Sequence, residues 1–294
     1  MNNLPLEHHR INTHARHREK TLTALLWIAR FRWTAAAPID QLLGGNGLVR
    51  QLINRKFVVE HPIDNVFSAV RYYVTLGSEG LALLHRYWPD ITRGTHGPIA
   101  RSLSLGWSLP ARPEHRIRKA RFQHDLELQW VLVRTFLAGS QIESLLLADD
   151  LERVPLGQRP AKIPDVSAQM RRQGIEAGRT ATLWAELEYS RKNQREIDLF
   201  CAYYRGALAG VSERKFDKVT VLCHEAVLAQ WRKDFARTVV PKWHFRKATR
   251  DWVRLDPKDW HHYPELSTEE LEGIIQPLTP KPEDQDDPDA QAGA

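Results

Sequence analysis

The chain has 294 residues, of which 42% are apolar, so it can bury one large core or two smaller ones, and we expect two domains. Its formal net charge of +6 is uneven: residues 1–120 carry 17 Lys and Arg against 8 Asp and Glu, whereas the chain from Glu265 onward carries nine acids and one Lys. The basic front favours a polyanionic partner. The two cysteines, Cys201 and Cys223, exclude a disulfide framework and a cysteine-rich zinc site. No long apolar run and no signal-peptide pattern is present, which predicts a soluble, cytoplasmic protein without a membrane partner.

Residues 1–18 are polar and rich in His and Arg, and they show neither a helical nor a strand period. Four histidines stand in this stretch without cysteine companions: His8, His9, His14 and His17. Such a group is more typical of a solvated tail than of a metal site. We therefore predict a flexible arm over residues 1–18.

Residues 19–88 show a compact succession of helix and strand patterns. KTLTALLWIARFR has one apolar helical stripe, Pro38 begins a short second helix that Gly44-Gly45 ends, and GLVRQLINRKFV predicts a third helix. FVVEHP and AVRYYVTL follow as two β-rich segments joined by a polar turn at residues 63–65, and LGSEGLALLHRY predicts a helix. Three helices followed by a two-stranded ribbon resemble a winged helix-turn-helix domain.

The third helix of this segment turns Leu48, Leu52 and Ile53 inward and leaves its polar side chains outside. The resemblance implies that the helix enters the major groove of double-stranded DNA. The side chains offered to base edges are Arg50, Gln51 and Asn54, and those offered to phosphates are Arg55, Lys56 and Arg71. The alternative is a winged helix that contacts another protein, but the basic excess favours DNA.

Residues 89–117 contain four prolines and three glycines without a steady period, so we predict a linker, with a short strand at RSLSLGWSL. A second domain is then predicted over residues 118–256. It opens with a helix from Arg118 to Leu137 that carries two apolar stripes, and QIESLLLADDLER follows as a strand and a loop.

The most informative stretch runs from Ile163 to Tyr204. It predicts a turn at Pro164-Asp165, a first strand, a polar hairpin over residues 171–179, a second strand over residues 180–189, and an amphipathic helix. The helical period places Ile197, Cys201, Tyr204 and Leu208 on one face, which we expect to pack against the sheet. Alternation along the second strand places Glu186 and Glu188 on the same face, because side chains two residues apart share a face of a sheet.

Two carboxylates on one buried strand face repel each other, and a divalent cation would remove that conflict. Asp165, on the neighbouring strand, supplies a third carboxylate of the kind that Mg²⁺ and Mn²⁺ accept. We therefore predict that Asp165, Glu186 and Glu188 hold Mg²⁺ or Mn²⁺. The alternative is a solvated edge strand on which Glu188 and Lys192 form an exposed ion pair that contributes little stability.

Pro164-Asp165, then Glu186-x-Glu188, then Ser190-Arg191-Lys192 and a helix resemble the PD-(D/E)xK nuclease superfamily. The resemblance implies that Asp165 and Glu186 hold the metal and that a lysine helps to activate water. Here Glu188 stands where the motif has Lys, and Lys192 falls on the same face if the strand continues, so the base assignment stays open. The helix before the first core strand often supplies a further acid in that superfamily. Asp125 or Glu127 would have this role, although a solvated acid in a first helical turn explains them equally well.

The pattern after the central stretch is a short apolar strand, DKVTVLCH, and a helix, EAVLAQWRKDFART, which predicts a partly parallel sheet. KWHFRKATRDWVRL predicts a last strand or pair of strands. Residues 257–294 are rich in proline and acids, and we predict an acidic disordered tail.

The order of these motifs resembles the replication-relaxation family and the related MobC-type plasmid mobilisation proteins. It implies an α+β and α/β fold, in which a winged helix precedes a restriction-endonuclease-like mixed sheet flanked by helices. The activity implied is metal-dependent DNA nicking, as in a relaxase, at a plasmid or integrative-element transfer origin, with other mobilisation or replication proteins as further partners. The alternative is a non-catalytic DNA-binding accessory or regulator with a degenerate nuclease-like domain.

Overall fold

The computed structural model describes residues 4–63, 70–113, 121–155, 162–171, 179–190 and 192–278, with side chains from residue 13 onward. The fold mixes helices with a mixed sheet that helices flank, as the sequence predicted at that level. In chain order, the elements are α1 (Leu4–Phe31), α2 (Ala36–Leu43), α3 (Leu48–Asn54), β1 (Val58–Pro62), β2 (Tyr72–Leu76), α4 (Ser78–Arg93), α5 (Pro98–Ser104), α6 (Phe122–Leu137), β3 (Ile142–Leu147), α7 (Ala148–Glu152), β4 (Val166–Arg171), β5 (Thr180–Glu188), α8 (Gln194–Leu208), β6 (Lys218–Cys223), α9 (Glu225–Phe235), β7 (Val239–Val240), β8 (Trp243–Arg246), β9 (Asp251–Arg254), β10 (His261–His262), α10 (Thr268–Ile274) and β11 (Ile275–Pro277).

The chain forms two compact units, and each is described by itself. The first comprises residues 1–146 and 168–180, and the second comprises residues 147–167 and 181–294. Among the described residues, the second unit contains strands in the order β11-β6-β5, and the first contains the neighbouring strands β4 and β3. The two-stranded sheets described are β1-β2 in the first unit and β7-β10 and β8-β9 in the second.

The first unit begins with the predicted order of three helices and a hairpin. Strands β1 and β2 pair antiparallel from Val58↔Leu76 to Pro62↔Tyr72, and the segment between α1 and α2 adds a bridge from Thr34 to Val74. The core under these elements is apolar. Helix α1 is buried on all sides over residues 21–31, where the sequence predicted a single stripe, and it contributes Leu22, Leu25, Leu26, Trp27 and Ile28. Helices α2 and α3 each turn one stripe inward, with Ile39 and Leu42 from α2 and Val49 and Leu52 from α3.

Helix α6 belongs to this first unit and not to the second, where the predicted boundary at residue 118 put it. A buried amide explains the placement: the Gln129 side chain accepts hydrogen bonds from Trp27 Nε1 and Thr34 Oγ1 and donates to the Trp33 carbonyl. The rings of Trp33 and Phe122 also stack, with centroids 4.2 Å apart. The two apolar stripes correctly predicted that α6 is buried, but an apolar stripe does not show which helix it packs against.

Two segments expected to be irregular are helical. Helix α1 begins at Leu4, so it includes most of the predicted arm, and the chain from residue 98 forms α5 in place of a linker strand. Ala100 and Leu103 of α5 are fully buried. Pro98 stands in the first turn of this helix, after Gly97, and proline is common at that position. The prediction missed the helix because it treated the prolines of this segment as signs of a linker. Likewise, the predicted loop after β3 contains the short helix α7.

The second unit has a parallel core of β5, β6 and β11. Strand β5 pairs with β6 from Leu183↔Lys218 to Glu188↔Cys223, and α8 connects the two strands as a crossover helix. As predicted, α8 turns one face to the sheet, where Ile197, Cys201 and Tyr204 are buried. Helix α9 follows β6, as the sequence also predicted, and both cysteines are free and buried.

Residues 257–278 are ordered, which corrects the prediction of a disordered tail from residue 257. Strand β11 pairs parallel with β6, and its first residue, Ile275, is fully buried against the core of this unit. Ser267 caps α10 by accepting from the Glu270 N–H, and the Glu270 carboxylate returns to the Ser267 N–H. The Ser-x-x-Glu pattern of this capping box is present in the sequence, but the prediction of disorder followed the acidic composition around it.

Several predicted features lie outside the described residues: the polar turn at Asp64-Asn65, the hairpin over residues 172–178, Arg191, and the acidic segment from residue 279. The predicted pair of strands near residues 242–255 is present as the antiparallel hairpin β8-β9. Within the described ranges, none of the helices has the length and apolar character that crossing a membrane requires.

Candidate functional site

Strand β5 carries two acids toward α8 near its carboxyl end. Glu186 and Glu188 are each 3% exposed and share a face with the buried Trp184, as the alternation predicted. Because both acids are buried, the alternative of a solvated strand with an exposed ion pair is wrong. Since β5 and β6 are parallel, both acids stand at the edge of the sheet where parallel strands most often bind ligands.

The buried Glu186 carboxylate has two polar partners, a lysine ammonium group and a tyrosine hydroxyl. Lys162 Nζ lies 2.6 Å from its Oε1 oxygen, and the hydroxyl of the fully buried Tyr204 donates to the same oxygen. Burial raises the pKa of Glu186 from 4.5 to about 7; Lys162 opposes this rise, the neighbouring Asp165 adds to it, and the Tyr204 hydrogen bond opposes it. The carboxyl group therefore changes its protonation state close to neutral pH.

Glu188 is paired with Lys192, as the sequence suggested, but the pair is not exposed. Lys192 Nζ donates to Glu188 Oε1, and its cation lies 5.5 Å from the ring centroid of Phe200 and 5.7 Å from that of Trp231. Burial raises the pKa of Glu188, with Lys192 opposing the rise. Burial lowers the pKa of Lys192, but Glu188, Glu186 and Asp165 together raise it, and the net pKa lies above its usual value.

The Asp165 side chain is hydrogen-bonded to the backbone of the same part of β5. Its Oδ2 oxygen accepts a hydrogen bond of 2.9 Å from the Leu187 N–H, between the two glutamates, and its carbonyl accepts one from the Ala148 N–H. The Asp165 charge raises the pKa values of both Glu186 and Glu188, which places it within electrostatic range of each. Asp165, Glu186, Glu188, Lys162 and Lys192 are called the acid–lysine cluster below.

The donor atoms of the cluster are of the type that suits a divalent cation, since carboxylate oxygens are the ligands that Mg²⁺ and Mn²⁺ prefer. Its spacing differs from the prediction that the three carboxylates converge on one ion. Among the described residues, no group of three or more His, Cys, Asp and Glu side chains is spaced to hold a metal. Each glutamate is turned toward a lysine ammonium group instead, so a cation would have to draw at least one carboxylate away from its lysine.

Sequence reasoning missed two members of this site. Lys162 lies three residues before Asp165, and its position beside the Pro164-Asp165 turn was the only local signal for it. Tyr204 was assigned correctly to the sheet-facing side of α8, but the period of a helix does not show that its hydroxyl meets Glu186. Burial and the Glu186 carboxylate raise the pKa of Tyr204, so this hydroxyl stays protonated and acts as a donor.

The two additional acids on α6 have partners inside the first unit. Asp125 lies 3.1 Å from His124 Nδ1 and 3.5 Å from Arg121 Nε. Glu127 is buried and accepts a hydrogen bond from Gln123 Nε2. These contacts explain both acids as parts of the first unit, and they lend no support to a role as metal ligand.

The predicted DNA-contacting side chains are all exposed, and all lie in the first unit. They come from α3, from the turn after it and from the residue before β2, and they are Arg50, Gln51, Asn54, Arg55, Lys56 and Arg71. Arg50 has an acidic neighbour, Glu60 of β1, at 3.8 Å. Such an exposed pair is worth little free energy, so a phosphate or a base edge can compete with it.

Comparisons of the chain with protein-family models, with curated proteins and with solved structures found no match.

Proposed function

We propose that this chain binds double-stranded DNA and nicks it in a metal-dependent reaction, as a relaxase-like endonuclease acting at the transfer origin of a plasmid or integrative element. The observation that supports the proposal is the acid–lysine cluster at the carboxyl end of β5. Burying two glutamates there costs desolvation energy that ion pairs rarely recover in full, so stability alone does not explain the arrangement. Strongly shifted pKa values in one cluster are typical of functional sites.

In the proposed reaction, Asp165 and Glu186 would hold Mg²⁺ or Mn²⁺, and Glu188 would bind it directly or through water. The bound cation would supply Lewis-acid stabilisation of the phosphate undergoing cleavage. Of the chain's own groups, Lys162 and Lys192 are the two cations next to these carboxylates. Either ammonium group would be suited to face a phosphate oxygen or to orient water if its carboxylate bound the cation.

Glu186 also gives the proposed reaction a proton-dependent step. With a pKa of about 7, this group is partly protonated at neutral pH, and it must lose its proton before it binds a cation. The Tyr204 hydroxyl holds one carboxyl oxygen in place by donating to it. Metal binding, and with it cleavage, should therefore strengthen as the pH rises through neutrality.

The first unit would deliver the DNA. Its element order, with the bridge from Thr34 to Val74 beside the β1-β2 hairpin, supports a winged helix, and the exposed side chains of α3 support docking in a major groove. Arg50, Gln51 and Asn54 would then read bases, while Arg55, Lys56 and Arg71 would bind phosphates. The second unit would correspond to a restriction-endonuclease-like domain, and a cytoplasmic location agrees with a plasmid substrate.

A second candidate is a non-catalytic DNA-binding accessory or regulator of mobilisation or replication. The observation that favours it is that Lys162 and Lys192 already compensate the two glutamates without a metal. In that case the cluster would be structural, and the chain would act by binding DNA and other mobilisation or replication proteins.

Supercoiled plasmid carrying the cognate transfer origin, incubated with the protein and Mn²⁺ or EDTA, tests the proposal, and melting curves under the same two conditions separate the candidates. The proposed nuclease should form open-circular DNA only with Mn²⁺, and Mn²⁺ should raise its melting temperature. Duplex binding with neither a Mn²⁺-dependent nick nor a melting shift would support the accessory protein instead.

A further inference from the structure

The hairpin β8-β9 exposes two aromatic rings side by side. Phe245 and Trp252 are directly paired in the antiparallel register, their centroids are 5.4 Å apart, and they are 40% and 38% exposed. Because paired residues of an antiparallel ribbon point to the same side, the two rings form one apolar surface on this hairpin. Large aromatic side chains exposed together commonly mark a binding surface. Phe245 and Trp252 are called the aromatic platform below.

The hairpin that carries the aromatic platform is rich in cationic side chains. Residues 242–254 contain five Lys and Arg against one acid, and all five cations are exposed: Lys242, Arg246, Lys247, Arg250 and Arg254. The Arg195 guanidinium of α8 lies 5.8 Å from the Trp252 ring centroid and adds a sixth cation. Positive charge beside flat apolar rings is complementary to a chain of phosphates that carries aromatic bases.

The hairpin is attached firmly at its base. Trp243 Nε1 donates a hydrogen bond of 3.0 Å to Asp198 Oδ2 of α8, and the fully buried Asp198 also pairs with Arg237 at 2.8 Å. A fixed base holds the platform in one orientation before a ligand arrives, which lowers the entropy cost of binding. Arg195 lies in the first turn of α8, three residues after Lys192 of the acid–lysine cluster. The platform and the cluster therefore each have a cation at the N-terminal end of this helix.

We propose that the aromatic platform binds single-stranded DNA, by stacking unpaired bases on Phe245 and Trp252 while neighbouring cations such as Arg195 and Arg254 bind phosphates. This inference deepens the proposed function, on which it rests, because it names an unpaired strand beside the cluster as the ligand. Bases inside a duplex cover each other's faces, so a stacking surface selects a strand whose bases are open. A protein that melts or nicks an origin produces such a strand.

Fluorescence anisotropy of a labelled 15-nucleotide oligothymidine in EDTA tests the inference on the full chain. The variant Trp252→Leu keeps an apolar side chain but removes the aromatic face, and it should weaken oligothymidine binding about fivefold to a hundredfold. Trp252→Phe should restore most of the affinity. The matched control is Val239→Ala, since Val239 is 39% exposed on another strand of the same unit, and it should leave the affinity unchanged.

A salt titration separates the two parts of the surface. Trp252→Leu should lower the affinity without changing the slope of log affinity against log salt, whereas Arg195→Ala with Arg254→Ala, which removes two cations on the side of the Trp252 ring, should reduce that slope. If Trp252→Leu unfolds the hairpin, Phe245→Leu replaces it as the test variant. Equal oligothymidine affinity for wild type and both Leu variants overturns the inference, as does an oligomeric state that changes in Trp252→Leu while DNA binding does not.

Because the assay contains EDTA, its result does not depend on cleavage. Loss of nicking with intact oligothymidine binding would refute the proposed nuclease and leave the platform standing. Nicking that persists together with an unaltered oligothymidine affinity in Trp252→Leu would refute the platform alone.

Discussion

Replacing Glu186 by Gln should remove a pH-dependent loss of stability. Burial raises the pKa of Glu186 from 4.5 to about 7 in the folded chain, so between these values the folded state binds more protons than the unfolded state. The contribution of protonated Glu186 to the free energy of unfolding is fully present below pH 4.5, and it is lost as the pH rises through about 7. A change from 4.5 to about 7 corresponds to about 3 kcal/mol, since one tenfold step in proton affinity is about 1.36 kcal/mol. Gln keeps the shape of Glu and can still accept from Tyr204, but it does not titrate.

Urea unfolding followed by tryptophan fluorescence at pH 5, 6, 7 and 8 measures this effect. The free energy of unfolding of the wild type should fall relative to that of Glu186→Gln by about 2.5 kcal/mol across this range, since part of the full effect is already lost at pH 5. Glu213→Gln, at an exposed carboxylate of the same unit, is the control and should follow the wild type. Parallel curves for the wild type and Glu186→Gln would mean that Lys162 keeps Glu186 ionised throughout, and the assignment of a raised pKa would be refuted.

Two further predictions concern DNA binding and the corrected chain end. Replacing Arg50 and Asn54 together by Ala should weaken specific duplex binding by about 1–3 kcal/mol for each hydrogen-bonded base edge that is no longer read, with unfolding unchanged; an unaltered anisotropy titration would argue that α3 does not read DNA. Ile275→Ala should lower the free energy of unfolding by about 2–5 kcal/mol, because Ile275 is fully buried in β11. An unchanged urea midpoint would indicate that this segment lies outside the folded core.

The elements that the sequence predicted well are those with a strong local pattern. The alternation along β5 correctly placed Glu186 and Glu188 on a common face, and the helical period of α8 correctly turned Cys201 and Tyr204 toward the sheet. These patterns depend only on the geometry of one strand or one helix, which is the same in every fold.

The features that the sequence did not predict depend on interactions between distant residues. Lys162 meets Glu186 across 24 positions of the chain, and Gln129 of α6 meets Trp27 across 102. Strand β11 became part of the sheet through pairing with β6, although the composition around it is acidic. Whether an acid binds a lysine or a metal also depends on such pairings, so the motif alone left that choice open.

The nicking rate of Asp165→Asn tests the central claim most directly. Asn can still accept the Leu187 N–H through its side-chain oxygen, so the fold should persist, while the charge that would hold the cation is removed. With Mn²⁺ and supercoiled plasmid carrying the cognate origin, the wild type and the Glu213→Gln control should nick at equal rates. Asp165→Asn should be at least about a hundredfold slower, which corresponds to about 2.7 kcal/mol of transition-state stabilisation. Equal rates for all three proteins, or a wild type that never nicks while its duplex binding is intact, would contradict the assignment of the acid–lysine cluster as a nuclease site.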